Sequence, residues 1–302
     1  MKTFTLSTIL MGSLMLLALC GPAFALSSSL LAPGMNALRI NGSSLYSTNW
    51  SGYAVTGSTG SVTSASGSWT VPTLVTTSGT ALAAFWVGID GYSSNTVEQT
   101  GTLIATPSAQ TTYDVPAYSA WYEFYPAGMV IISSATSISS GSSMLATVSP
   151  NDVISAIVTY KGSSSTGGFF GGSGFLGRDP RSRSSSTFTV TITDTTAGWT
   201  FTTTGTVTNA ARSSAEWIAE APSSSRGVLP LANFGTVNFG SDSTGVTGTC
   251  YAIVGGANGP IGSFSSSQGI TMVTNKGVTK ASISPLSTDE TSFSVTWASA
   301  GP

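Results

Sequence analysis

The residues best equipped for chemistry lie in the run Arg212-Ser-Ser-Ala-Glu-Trp-Ile-Ala-Glu-Ala-Pro222, where Glu216 and Glu220 stand close together in a chain of 302 residues that is only 7% charged. If this run is a strand, side chains alternate faces, so Glu216, Ile218 and Glu220 point one way and Trp217 and Ala219 the other. Taken alone, E-x-x-x-E reads first as a half-buried edge strand with solvated glutamates. The rest of the chain narrows the options. It contains no histidine, which excludes Ser-His and Cys-His nucleophile pairs and His-ligated zinc. Carboxylates, amides, hydroxyls and tyrosines remain, and the chemistry they can do is activation of water by a carboxyl group, with a fixed donor for the developing charge.

Short segments of strand character must position these groups. Ser47 to Val55, Ser66 to Pro72, Ala83 to Asp90, Thr96 to Gly101 and Ser119 to Pro126 read as successive strands. Alternation places Trp86, Gly88 and Asp90 on one face, Val97, Gln99 and Gly101 on one face, and Trp121, Glu123 and Tyr125 opposite Tyr122 and Phe124. Further strands are expected at Ala146 to Tyr160, Thr187 to Asp194, Leu229 to Phe239, Ala281 to Ile283 and Ser292 to Trp297. Lys161 to Ser186, rich in Gly and Ser and carrying Arg178, Arg181 and Arg183, reads as a mobile insertion or long hairpin loop. With no long segment of helical period and no internal repeat, the expected fold class is all-β, as one sandwich or barrel domain.

Lys and Arg number 10 against 12 Asp and Glu, a net charge of -2 with no basic stripe, so nucleic acid is not an expected partner. So few ionisable groups leave little stability dependent on keeping carboxylates ionised, which suits an acidic medium. Residues 1–25 have Lys2, an apolar run from Ile9 to Leu19, and Ala23-Phe24-Ala25, the pattern of a secretory signal peptide cleaved after Ala25. A secreted chain with no membrane contact after cleavage follows, monomeric by default. Cleavage removes Cys20 and leaves Cys250, expected to be a small buried hydrophobe. Residues 26–45 read as a short propeptide or a flexible lead, with ordered structure beginning near Tyr46.

Six motifs then occur in a fixed order: Asn49-Trp-Ser-Gly-Tyr53, Trp69-Thr-Val-Pro72, Phe85-Trp-Val-Gly-Ile-Asp-Gly91, Glu98-Gln-Thr-Gly101, Ala120-Trp-Tyr-Glu-Phe-Tyr-Pro126 and Ser214-Ala-Glu-Trp-Ile-Ala-Glu220. In this order the chain, from Tyr46 onward, resembles the glutamic peptidases, or eqolisins, and its wording is nearer the prokaryotic members than the fungal ones. The resemblance implies an antiparallel β-sandwich of the concanavalin-like jelly-roll kind over residues 46–302, with a curved sheet forming a substrate groove. It implies a Gln/Glu catalytic dyad, matched here by Gln99 and Glu220. It further implies substrate-binding positions matched by Trp86, Asp90, Trp121, Glu123 and Tyr125, polypeptide substrates, no metal or other cofactor, and insensitivity to pepstatin. Asn49 and Trp50 read as structural, and Glu216 as structural or an outer groove residue rather than the base. The chain departs from the family in carrying Ser119 where fungal members have aspartate, in a turn between Asp90 and Gln99 one residue shorter, and in the 161–186 insertion. Two other classes remain open on the residues themselves: a glycoside hydrolase pairing Glu123 with Glu220, and a non-enzymatic carbohydrate-binding or adhesion sandwich that uses only the aromatic face.

Overall fold

Ten strands carry the architecture of the computed structural model: β1 (Trp50–Thr56), β2 (Val62–Thr70), β3 (Leu82–Ile89), β4 (Val97–Ala105), β5 (Tyr118–Tyr125), β6 (Val153–Ser165), β7 (Ser184–Asp194), β8 (Trp199–Thr208), β9 (Ser214–Glu220) and β10 (Ser267–Val273). The structure describes residues 30, 32, 34–35, 37–38, 45–75, 78–165 and 184–301. The expected signal peptide, 1–25, and residues 166–183 of the insertion lie outside the described residues.

The strands make two antiparallel sheets. One runs β10-β1-β9-β3-β4-β5. The other runs β8-β7-β6-β2, extended beside β2 by Thr236–Phe239 and Tyr251–Val254. Thr279–Ile283 and Phe293–Trp297 link the sheets along one edge. Between the sheets lies the main core, with Phe85, Val87 and Trp217 from the first facing Trp69, Ile154, Phe188, Val190 and Ile192 from the second. This is the all-β sandwich expected from short alternating segments, and the described helices, Pro107–Tyr113 and Ser241–Thr244, are short.

The opposite face of the first sheet carries a second apolar cluster, built on Trp50, Trp86, Val97, Leu103, Trp121 and Ile218. Alternation therefore assigned the faces of β3, β4, β5 and β9 as expected: Ile218 belongs to this second cluster while Trp217 and Ala219 join the main core.

Several boundaries differ from expectation. The strand expected from Ala146 starts at Val153, because Ser149 donates its backbone N–H to Asp152 Oδ2 at 2.6 Å and Asn151 takes φ 70°, making a turn. Of Leu229 to Phe239 only Thr236–Phe239 is strand, and β8, rich in threonine, was not anticipated. Both ends of the expected 161–186 loop are paired strand, with Ser165 opposite Ser184. Cys250 is buried and free, and burial pushes its thiol up to about 12. Structure also begins before Tyr46: Leu30 and Ala32 are buried in the second cluster, and Ala37–Leu38 pair antiparallel with Leu45–Ser47. For Leu30 and Ala32 the flexible-lead reading is wrong, because their apolar side chains cover an apolar face.

Candidate active site

Strand register sets the site. Gln99 on β4 lies opposite Gly88 on β3 and Glu123 on β5, and Gly88 lies opposite Glu216 on β9. Two residues along, Trp86 lies between Ile218 and Gly101, and beyond it Glu220 is opposite Ala84. The glycines make room for the tryptophan: a Cβ on Gly88 would lie 2.9 Å from the Trp86 ring, and one on Gly101 2.6 Å from Trp86 Cβ. Trp86 packs edge-on against Trp50, ring centroids 4.9 Å apart.

From that position Trp86 Nε1 donates to Glu220 Oε2 at 2.8 Å, while Asn49 Nδ2 donates to Glu220 Oε1 at 3.3 Å. Glu220 is fully buried. Burial, and next the negative charge of Glu123, hold its carboxyl well above the usual range, against hydrogen bonds from Trp86, Asn49 and Trp50 that favour the ionised form. Glu123 is likewise raised well above its ordinary value by burial, opposed by its bonds from the Ala32 amide and Gln99.

Gln99 Nε2 donates to Glu123 Oε2 at 2.8 Å and to the Ala32 carbonyl at 2.7 Å. Gln99 Oε1 is buried and makes no hydrogen bond among the described residues. Ala32 N–H donates to Glu123 Oε2 at 3.2 Å, and Asn49 Nδ2 reaches the Gly34 carbonyl at 3.2 Å. Gln99, Glu123 and Asn49 thus hold one stretch of backbone, and Asn49 also donates to Glu220. A buried carboxyl group near a preorganised amide donor that addresses a peptide carbonyl is equipped to add water across an amide bond.

The structure brings together Gln99, Glu220, Glu123 and Trp86, with Trp121 in the same buried cluster. Tyr125, half-buried, lies at the rim, where it lines an open groove of about 550 Å³ with Gly34, Met35, Tyr92 and Pro126. Asp90 is not part of this group. It ends β3 at φ 71°, and its carboxylate accepts the backbone N–H groups of Arg212 at 2.6 Å and Ser213 at 2.9 Å, so it ties down the loop before β9. Burial raises Asp90, and these amides oppose the shift. Asn49, read as structural from sequence, touches Glu220 directly; its place in the first of the six ordered motifs was the available signal. Glu216 is buried, and its carboxyl is held well above the usual range chiefly by burial.

The model of the peptidase A4 family matches residues 48–168 and 181–293. Similar solved structures include scytalido-glutamic peptidase with a transition state analog inhibitor, at 22% identity and TM-score 0.57, covering 83% of this chain and 98% of that one. A second, with a peptide-based transition state analog, has 20% identity and TM-score 0.54, with the same coverages. SCP-B, a member of the eqolisin family of peptidases in a complex with the tripeptide Ala-Ile-His, has 21% identity and TM-score 0.54, again over 83% and 98%. No curated protein matches. At these identities the structural likeness speaks for the sandwich fold, and the family match spans most of the sequence. The chain belongs to the peptidase A4 family, the glutamic peptidases.

Proposed function

We propose that this chain is a secreted acid endopeptidase in which Gln99 and Glu220 act on one water molecule, with no covalent intermediate and no cofactor. The observation that carries this reading is the division of labour at Gln99. A glutamine amide has two N–H donors; one is taken by Glu123 and the other meets a backbone carbonyl in the cleft. That second donor faces the oxygen on which negative charge develops when water adds. Ionised Glu220 takes a proton from water as the water oxygen bonds to the carbonyl carbon. It returns that proton to the nitrogen as the C–N bond breaks, leaving a carboxylic acid and an amine. A carboxyl raised by burial serves both halves of that cycle. Because the amide does not titrate, the donor keeps working in acid.

The sugar-hydrolysing alternative needs Glu123 and Glu220 free to flank a glycosidic oxygen. An oxygen of Glu123 is instead engaged by an amide side chain and a peptide N–H, partners suited to recognising polypeptide. Export rests on the pattern of residues 1–25. The test is incubation of the chain with denatured protein and with polysaccharide across about pH 2 to 7. New amino groups from protein support the reading, and reducing ends from polysaccharide overturn it.

A further inference from the structure

The backbone gripped by the site belongs to the chain itself. Leu30 and Ala32 are buried among the groove tryptophans. The polar contacts of this stretch run to the proposed machinery and its rim: the Ala32 carbonyl to Gln99, the Ala32 amide to Glu123, the Gly34 carbonyl to Asn49, and the Met35 amide to the Gly91 carbonyl at 2.9 Å. We infer that the stretch carrying Leu30, Ala32, Gly34 and Met35 is a tethered pseudosubstrate, with Ala32 in the position of the residue whose carbonyl is attacked. This rests on the peptidase reading above and assigns its regulation and subsites.

Sequence explains why such a segment would persist in an active cleft. The carbonyl at Gln99 belongs to the Ala32–Pro33 amide. A proline nitrogen carries a ring carbon where an ordinary amide carries hydrogen, which hinders proton delivery to the departing nitrogen. The segment also reports which substrates fit. The position before the cut takes a small apolar residue, as Ala32 does, and the position two earlier takes one the size of Leu30. Two positions after the cut there is little space, since a Cβ on Gly34 would lie 2.8 Å from the Gly91 carbonyl oxygen. The substrate class is an uncharged, apolar stretch of polypeptide.

Three measurements on the full chain test this. Gly34→Val forces the segment against Gly91 and should raise hydrolysis of a denatured protein by about tenfold or more, since the competent fraction sets the apparent activity. The free hexapeptide Leu-Leu-Ala-Pro-Gly-Met should reverse that gain at roughly millimolar concentration, the effective concentration of a short tether, and should change the fluorescence of the groove tryptophans. Pro33→Ala restores an ordinary amide, so water should add between residues 32 and 33 and mass spectrometry should find the chain shortened to begin at residue 33. Equal rates for wild type and Gly34→Val, with no response to the hexapeptide, overturn the pseudosubstrate and leave the peptidase reading standing. Absence of hydrolysis by every form, with the hexapeptide still altering tryptophan fluorescence, overturns the peptidase reading itself.

Discussion

Along β7 the side chains alternate as in an ordinary half-buried sheet. Phe188, Val190 and Ile192 enter the core, while the hydroxyls of Thr189, Thr191 and Thr193 pair across β8 with Thr204, Thr202 and Thr200 at 3.1, 2.9 and 2.8 Å. Along β3, β4 and β9 every residue is buried. Antiparallel sheets commonly leave one face to water, so the second covering of this sheet calls for a cause. It includes the groove tryptophans together with Leu30 and Ala32. The glutamates held well above their ordinary range by burial, namely Glu98, Glu123, Glu216 and Glu220, all sit on β4, β5 and β9. The difference teaches that one sheet supplies stability with a solvated hydroxyl surface, and the other is dry on both faces, where burial raises its carboxyl groups.

The contrast can be broken most forcefully at Gln99. Gln99→Ala should reduce the rate of peptide hydrolysis by about a hundredfold to a thousandfold, the usual loss for a preorganised oxyanion donor, with the melting temperature little changed. Next in size is a core truncation. Phe188→Ala on β7 should cost about 3–5 kcal/mol of stability in a denaturant titration, showing that the two sheets depend equally on the layer between them.

A smaller effect concerns pH. An ordinary glutamate titrates near 4.5, whereas folded Glu216 holds its proton to higher pH. Its contribution to stability is complete below that value and is lost as pH rises through the folded value, because the folded chain binds the extra proton. Glu216→Gln should therefore melt above wild type at pH 7 by about 2–4 °C for each kcal/mol recovered, and close to it at pH 3. An equal difference at both pH values would contradict the assignment. Glu123→Gln removes a negative charge that raises Glu220, so the ascending limb of the activity profile should move to lower pH. The smallest effect is expected on the solvated hydroxyls, where Thr191→Val should change stability by no more than about 0.5 kcal/mol and leave turnover unaltered.

Much of this contrast was legible in the residues. Strand alternation put the neighbours of Trp86, Gln99, Glu123 and Glu220 on single faces of their strands, because a two-residue period survives burial of both faces, and the family resemblance supplied the groove. Asp90 defeated the same rule: it closes β3 at positive φ, where alternation stops, and its carboxylate swings to the amides of Arg212 and Ser213. Asn49 was undervalued because it was read as part of a strand from Ser47, whereas β1 begins at Trp50 and leaves Asn49 just before it. Leu30–Met35 carries no period, its Pro33-Gly34 reads only as a loop, and its meaning lies in what it touches. The start of β6 at Val153 was hidden by the Ser149 to Asp152 turn, whose apolar neighbours look strand-like.

Central to the account is that Glu220 moves the proton while Gln99 holds the carbonyl oxygen. The direct measurement is the initial rate of new amino groups from denatured protein in acid for Glu220→Gln beside wild type, with far-ultraviolet circular dichroism to establish the fold. The account predicts an intact sandwich and a rate lower by about a thousandfold or more; turnover within a few-fold of wild type in a folded variant would contradict it.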